Sequence, residues 1–394
     1  MWWALIPALL TVGAFLGALV TLLRTGQPAG PIAAEITLII AVTGRNTDLD
    51  RLCAALAAQV LKPARVVFAV ESESDPAFSL LTGIRARHVF HIHVAGPATA
   101  SSQKAHNLAS AIAAFDDGMS TIAFADADIM PQSGWLADLT RPITRKAAGM
   151  VSGYRWSSPV DAQPASLLCA WIDRAIACLP KFAWQTMVWG GSLAVAPGVL
   201  ARINAVRVLD ENISDDMALA AAAKEANIRA LHRMRVLVPS PLSHSRRTFW
   251  SFAYRQYQML WLYQPRVWAL AAALVGASLL VKTALWIAAL YSSFWLAILI
   301  AFIPFNWATY ALRLLRAEKL HCLSSASFGV EAAMFLVPLF GPLVDAIHLA
   351  AILRGAFARH VDWSHLSYDL RGRVVTRVIR RPQPGDPRSG RRTL

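Results

Sequence analysis

The first 23 residues carry no charged side chain at all. Nor does the chain open with the Lys or Arg that starts a signal peptide; it opens Met1-Trp2-Trp3. A stretch of that length can cross a bilayer, so residues 1–24 read as a retained transmembrane anchor. Cysteine is scarce: Cys53, Cys169, Cys178 and Cys322 show no paired metal-ligand spacing, and they read as reduced core residues. No Gly-rich phosphate loop of the ATPase type occurs, and no internal repeat, which argues against P-loop and solenoid architectures. His88, His91 and His93 alternate without further flanking ligands and read as a strand face rather than a metal site.

Charge is sparse and hydrophobicity high. Of 394 residues, 56% are hydrophobic and 16% charged, and the mean hydropathy is +0.43. That balance is too apolar for an ordinary soluble protein. Residues 267–312 form an apolar block interrupted only by Lys282, long enough for two spans with a turn near Tyr291-Ser292-Ser293. A third block, 327–353, holds Glu331 and Asp345 and is broken by Pro338 and Pro342, so it reads as a re-entrant or interfacial hairpin, or a kinked span. The net charge is +14, and residues 354–394 hold ten Arg and three Asp. A basic tail after a membrane segment suits an anionic membrane surface better than nucleic acid. Arg24, Arg313, Arg316 and Lys319 flank the spans on one side, which places residues 25–265 in the cytoplasm.

The rest of the chain patterns as an α/β domain, 35–245. Residues 35–43 read as a buried strand, Gly44-Arg45-Asn46 as a turn, 48–59 as a helix and 65–70 as a second strand, the opening of a parallel sheet. The second strand runs into Glu71-Ser72-Glu73-Ser74-Asp75-Pro76, and acidic and small residues at a strand's carboxyl end suit a ligand site. Ser101-Ser102-Gln103-Lys104 opens an apolar helix to Phe115, where a Lys at a helix N-terminus suits an anion. The strand from Thr121 ends in Asp126-Ala127-Asp128. If extended, these carboxylates share a face and could hold Mg²⁺ or Mn²⁺ with a diphosphate. Trp189-Gly190-Gly191-Ser192 permits close backbone approach to a flat or sugar-like ligand. Ser214-Asp215-Asp216 precedes an Ala-rich helix over 217–226. One of these residues is expected to cap it, leaving a carboxylate to act as a base.

In order, Val70-Glu71…Asp75-Pro76-Ala77, Gln103-Lys104-Ala105-His106-Asn107-Leu108, Asp126-x-Asp128, Gly190-Gly191-Ser192 and Ser214-Asp215-Asp216 resemble the ceramide glucosyltransferase-like branch of family-two glycosyltransferases, which includes bacterial hopanoid-associated lipid glycosyltransferases. The likeness covers about residues 35 to 265, with similar flanking membrane segments. It implies a GT-A fold, a UDP-sugar donor, a divalent cation and inversion at the anomeric carbon. Carried over by position, Glu71 and the loop from Ser72 to Asp75 would hold uracil and ribose, and Lys104 would approach the diphosphate. Asp128 would coordinate the metal, with Asp126 touching metal or ribose. Asp216 would be the catalytic carboxylate, with Asp215 beside it as the next candidate. Gly190 to Ser192, next to Trp189, would shape the acceptor side. The sequence departs from the family in two places. Ser72 stands where an acid is usual, flanked by Glu71 and Glu73, and Arg255-Gln256-Tyr257-Gln258-Met259 lacks the second Arg and the Trp of the family's late motif, leaving Arg255 as its cation.

The expected reaction moves a hexose from a UDP-sugar to a hydroxyl of a ceramide-, diacylglycerol- or hopanoid-like lipid, in a multi-pass protein of the cell inner membrane with its catalytic domain cytoplasmic. Residues 246–266 set Arg246, Arg247, Arg255 and Arg266 among Trp250, Trp261 and other aromatics, a composition suited to the headgroup boundary. Residues 165–182 suit either lipid contact or core packing. A processive polysaccharide synthase is the nearest alternative, and it would need more spans. A transporter or scaffold would leave the large α/β domain unexplained. Pro- and Arg-rich residues 381–394 are expected to be disordered.

Overall fold

The computed structural model describes residues 5–28, 34–44, 48–179, 187–323, 328–363 and 365–380. The turn expected at Arg45-Asn46, the end of the 165–182 segment and the tail 381–394 lie outside the described residues. The chain divides into two compact units, one drawn from Pro28–Tyr154, Ala183–Val238 and Ala358–Leu394, the other from Met1–Gln27, Arg155–Phe182 and Pro239–Phe357.

The first unit is built on a seven-stranded sheet. Its strands are β1 (Ile36–Ala41), β2 (Arg65–Val70), β3 (His91–Val94), β4 (Thr121–Asp126), β5 (Met150–Pro159, in this unit as far as Tyr154), β6 (Ser192–Val195) and β7 (Ala230–Leu242, in this unit as far as Val238). They lie in the order β3-β2-β1-β4-β6-β5-β7. β1 pairs in parallel with β2 and β4, β2 in parallel with β3, and β6 antiparallel to both β4 and β5. The central strands are apolar on both faces because both faces are covered, as parallel sheets require. Alternation divides them. Ile36, Leu38 and Ile40 of β1 join Phe68, Val70, Ala123 and Ala125 in one core, under Leu52 and Leu56 of helix Leu49–Ala57 and Leu136 and Leu139 of helix Trp135–Thr144. Ile39 joins Val67, Ala69, Ile122 and Phe124 in the other, against Leu108 and Ile112 of helix Gln103–Phe115 and Leu219 and Ala223 of helix Asp215–Glu225. This is a three-layer α/β arrangement set by the two-residue period of the strands.

Parallel pairing of β1, β2 and β4 brings their carboxyl ends to one edge. Thr43 and Gly44 follow β1, Glu71 follows β2, and Asp126 ends β4. β6 runs the other way, so Trp189-Gly190-Gly191, which precede it, come to the same edge; Ser192 pairs with Ala125.

The same unit contains a second sheet in a region read from sequence as a basic tail. β8 (His360–Trp363), β9 (Leu366–Arg371) and β10 (Val374–Arg380) are antiparallel in the order β10-β9-β8. Arg371 pairs with Val374, so Gly372-Arg373 is a two-residue turn, and Gly372 takes the positive φ of +64° that such a turn needs. Val361, Leu366, Tyr368 and Val375 are buried. The Arg-rich composition hides a period-two hairpin.

The second unit is helical. Helices Pro265–Tyr291, Ser293–Lys319 and the stretch Gly329–Phe357 are each long and apolar enough to cross a membrane. The first two are separated at Ser292, which is extended. Within 329–357 the helix is interrupted by a 3₁₀ turn at Val337–Phe340 before helix Gly341–Phe357, as the paired prolines require. The N-terminal helix Leu5–Leu23 is apolar, but its described apolar stretch Leu9–Leu23 is shorter than these three. Residues of these helices, with Trp171 of helix Pro164–Ala177, line an open cavity of about 400 Å³ that includes Leu285 and Ile300, with Lys282 donating to Asp345 at 2.8 Å on its wall. Helix Pro164–Ala177 buries Cys169, Ala170, Asp173 and Arg174, so this part of the 165–182 segment packs in the protein.

Candidate active site

At the edge where β1, β2 and β4 end, four charged side chains meet. Lys104 lies in the first turn of helix Gln103–Phe115 and donates to Asp126 Oδ1 at 2.7 Å. It also lies 3.1 Å from Asp215 Oδ2. Burial works against its charge, but the carboxylates of Asp126, Asp215 and Asp216 outweigh burial and raise its pKa, so it stays an ammonium ion. Asp215 is 3% exposed. Burial pushes its carboxyl up to about 6, against the pull of Lys104 and with the charges of Asp216 and Asp126 adding to the rise.

The two glycines make this meeting possible. A Cβ on Gly190 would stand 2.4 Å from Asp215 Oδ2, and one on Gly191 would stand 2.4 Å from Asp126 Oδ2 and 2.2 Å from the Trp189 ring. Any larger residue would push the carboxylates apart, so the pair is a spacer without side chains between Asp126 and Asp215. The residues on either side of it are fixed by hydrogen bonds: Trp189 N donates to Ser152 Oγ at 2.8 Å, and Trp135 Nε1 to Ser192 Oγ at 2.8 Å. Ser192 is fully buried, so it supports the loop rather than facing a ligand.

Asp215 and Asp216 are held differently. Ser214 caps the helix, accepting from Met217 N at 3.4 Å. Asp216 Oδ1 accepts from the same N–H and from Ser214 Oγ, both at 2.7 Å, and its Oδ2 accepts from Gly190 N at 3.2 Å. Asp216 is partly exposed where Asp215 is sealed.

Other sequence candidates fall elsewhere. Asp75 is the N-cap of helix Pro76–Ile84, accepting from Ala77 N and Gly44 N at 2.8 Å each and from Thr43 Oγ1 at 2.8 Å. That carboxylate ties the β1 loop to the helix, a holding role beneath any ligand. Glu71 is bonded by Arg380, at the end of β10, and lies 3.5 Å from His365, just before β9. Burial opposes its ionisation, but the bonds from His365 and Arg380 outweigh burial and lower its pKa. In the run from Gln103 to Asn107, only Lys104 reaches the cluster. The Gln103 amide holds Ala98 N and Gly96 O, Asn107 holds Ala69 O, and His106 lies 2.7 Å from Asp210. His93 meets Ser110 at 2.8 Å and His88 meets Asp50 at 3.1 Å, both structural contacts. The four cysteines are buried and none is in a disulfide, and burial pushes Cys53 up to about 11 and Cys169 to about 12. Arg255 belongs to the helical unit, on helix Arg246–Tyr263, with its guanidinium 5.8 Å from the Phe252 ring.

The expected metal pair needs one correction of reasoning. β4 ends at Asp126 and the chain turns at Ala127-Asp128, so strand alternation does not set where Asp128 points. Among the described residues, no group of three or more His, Cys, Asp or Glu side chains converges on a point. Two carboxylates at a strand end, one exposed, fit a hard cation completed by diphosphate oxygens and water rather than a closed protein cage.

Sequence reasoning missed Trp363, His365, Tyr368 and Arg380. Lys104 Nζ is 5.9 Å from the Trp363 ring centroid, and the Tyr368 hydroxyl accepts from Gln103 N at 3.0 Å. The signal that could have found them is the hairpin alternation about Gly372.

Comparison with known proteins gives one family match. The model for Glycosyl transferase family 21 matches residues 5–374. No curated protein matches the chain. Among solved structures, a mannosyltransferase from Pyrobaculum calidifontis in complex with GDP-Man and Mn2+ is 14% identical, covering 90% of this chain and 99% of that one at a TM-score of 0.45. Glucosyl-3-phosphoglycerate synthase from Mycobacterium tuberculosis, in complex with Mn2+, uridine diphosphate and glucosyl-3-phosphoglycerate, is 9% identical, covering 58% of this chain and 79% of that one at a TM-score of 0.37.

Proposed function

The chain belongs to glycosyl transferase family 21, the ceramide glucosyltransferase-like group, and on that premise we propose that it is an inverting, membrane-bound enzyme of GT-A type that moves a hexose from a UDP-sugar to the hydroxyl of a membrane lipid. Transfer of a sugar from a nucleotide sugar follows from the family. The observation that carries the finer reading is the Lys104 ammonium gripped by Asp126 and Asp215 at the sheet edge, with Asp216 partly exposed beside it.

Lys104 places fixed positive charge where a diphosphate departs. Asp126 and Asp215 hold it there, and Asp215 acts through Lys104 rather than on substrate. Asp216 is the base, since an incoming hydroxyl can reach it and not the buried Asp215. The acceptor oxygen bonds to the anomeric carbon as its proton passes to Asp216. The anomeric bond to the diphosphate breaks, and its electron pair leaves with the nucleoside diphosphate. Attack opposite the leaving group inverts the centre. Asp128, with Asp126, would hold a divalent cation such as Mg²⁺ or Mn²⁺, which when bound offsets charge on the diphosphate.

A lipid acceptor is supported by the three long apolar helices and by helix Arg246–Tyr263, which carries arginines with exposed Trp250 and Trp261. A cytoplasmic face for the α/β unit is supported by the basic flanks of the spans.

The test is lipid labelling by membranes carrying the full chain, offered labelled UDP-sugars with Mg²⁺ or Mn²⁺. Asp216→Asn is expected to bind UDP as the wild type does and to lose about 10²–10⁴-fold in turnover. A labelled lipid formed equally by the variant would remove Asp216 as base. Labelled polymer in place of labelled lipid would favour a processive synthase.

A further inference from the structure

The sheet β8–β10 touches three segments that build the site. At the end of β2, Glu71 is bonded by Arg380 and approached by His365 at 3.5 Å. At the start of helix Gln103–Phe115, Tyr368 receives the N–H of Gln103, and the Trp363 ring stands 5.9 Å from Lys104 Nζ. Just before Asp215, Ile213 N donates to Arg373 O at 3.2 Å. These contacts follow one side of the charge cluster in turn.

Anchoring alone does not account for their chemistry. The buried apolar residues Val361, Leu366 and Val375 already give the sheet a core. The groups that it turns to the site are an indole, an imidazole and a guanidinium. An aromatic face beside an anion-binding ammonium suits a ligand with both a flat or C–H-rich face and a phosphate. A nucleoside diphosphate sugar has both.

We propose that the C-terminal sheet is a wall of the nucleotide-sugar site, with Trp363 packing against the bound donor beside Lys104 and Arg380 positioning Glu71 toward its nucleoside. This rests on the donor binding at Lys104, as argued above. Trp363 is then a binding residue. Arg380 acts through Glu71 and is a positioning residue.

The experiment is calorimetric titration of UDP, with Mg²⁺, into the full chain in detergent. Trp363→Ala is expected to weaken UDP about tenfold or more, and Trp363→Phe to restore most of the affinity. Arg380 is half-exposed, so Arg380→Ala leaves the sheet folded, and a smaller, severalfold loss is expected. Hydrogen–deuterium exchange on the unmodified chain supplies a readout that needs no variant. UDP is expected to protect amides within 360–380 together with those of helix Gln103–Phe115. Protection of the helix without 360–380, or equal UDP affinity in wild type, Trp363→Ala and Arg380→Ala, overturns the wall. A wild type that binds no UDP at all, with the fold intact, overturns instead the donor reading on which the wall rests.

Discussion

Two charge clusters in this chain are made from the same kinds of group and are balanced differently. In the helical unit, Arg174 meets Glu331 in a two-pronged pair, Nη2 to Oε1 at 2.9 Å and Nη1 to Oε2 at 3.0 Å. Tyr310 donates to Glu331 at 2.6 Å, Arg174 Nε donates to Ser157 O at 2.9 Å, and the guanidinium lies 4.5 Å from the Trp156 ring centroid. Cation and carboxylate cancel, and both Glu331 oxygens are bonded. In the α/β unit, three carboxylates act on the single ammonium of Lys104, and the most buried of them has its pKa pushed up. A buried pair is tolerated when its charges and hydrogen bonds close on themselves. The Lys104 cluster does not close. Its surplus negative charge is a cost to the fold that a bound cation or a transferred proton offsets, which makes it the candidate functional cluster.

The strongest way to break the comparison is to open the closed cluster. Glu331→Gln leaves Arg174, only 1% exposed, without its counter-charge, and a loss of about 3–5 kcal/mol is expected. Replacing both residues by Met is expected to cost less than the single change, because no charge is left stranded. Thermal unfolding in detergent measures both. Equal melting of Glu331→Gln and wild type would mean that Arg174 does not depend on this partner.

The open cluster should respond with the opposite sign. Asp215 binds its proton more readily in the folded chain than in the unfolded one, where its pKa is the ordinary 3.8. Stability therefore falls as pH rises from about 4 to about 6, and the whole loss is present above that window. Asp215→Asn removes it. The variant is expected to be more stable by about 1–3 kcal/mol at pH 7.5, since each tenfold change in proton affinity is worth about 1.4 kcal/mol. It is also expected to turn over more slowly, because Lys104 is held less firmly. A variant that is both slower and less stable at pH 7.5 would show that Asp215 is a closed structural partner after all.

Much of the fold was legible because the central strands are buried on both faces: 65–70 reads from its apolar run with no turn residue inside. The cluster's members were legible by type and order, Lys104, Asp126, Gly190, Gly191, Asp215 and Asp216 alike. Their different degrees of burial were not. Which of two adjacent aspartates is sealed depends on the approach of Gly190, a contact between segments far apart in sequence. Asp75 could not be told from a ligand-binding acid, since its partners Thr43 and Gly44 lie on another strand's loop. The C-terminal sheet was hidden by composition. Arginines at 371, 373, 377 and 380 mask the alternation of Leu366, Tyr368 and Leu370 that a charge count cannot see.

Glu71 sharpens the comparison within a single unit, because it lies at the same sheet edge as Asp215 yet is partnered like Glu331. Its two oxygens meet Arg380 and His365, and those bonds, prevailing over burial, lower its pKa below the ordinary 4.5. The sign is opposite to that of Asp215. The stabilisation from Glu71 is fully present above about pH 4.5 and is lost as pH falls through the lower folded value. Arg380 is 54% exposed, so solvent screens that pair and the effect is modest. Glu71→Gln is expected to cost about 1 kcal/mol at pH 7, with its melting curve meeting that of the wild type below the folded pKa. Two carboxylates of one unit would then give melting-versus-pH slopes of opposite sign, Asp215 destabilising as pH rises and Glu71 stabilising. Slopes of the same sign would mean that partner balance does not set how the carboxylates at this sheet edge contribute to stability.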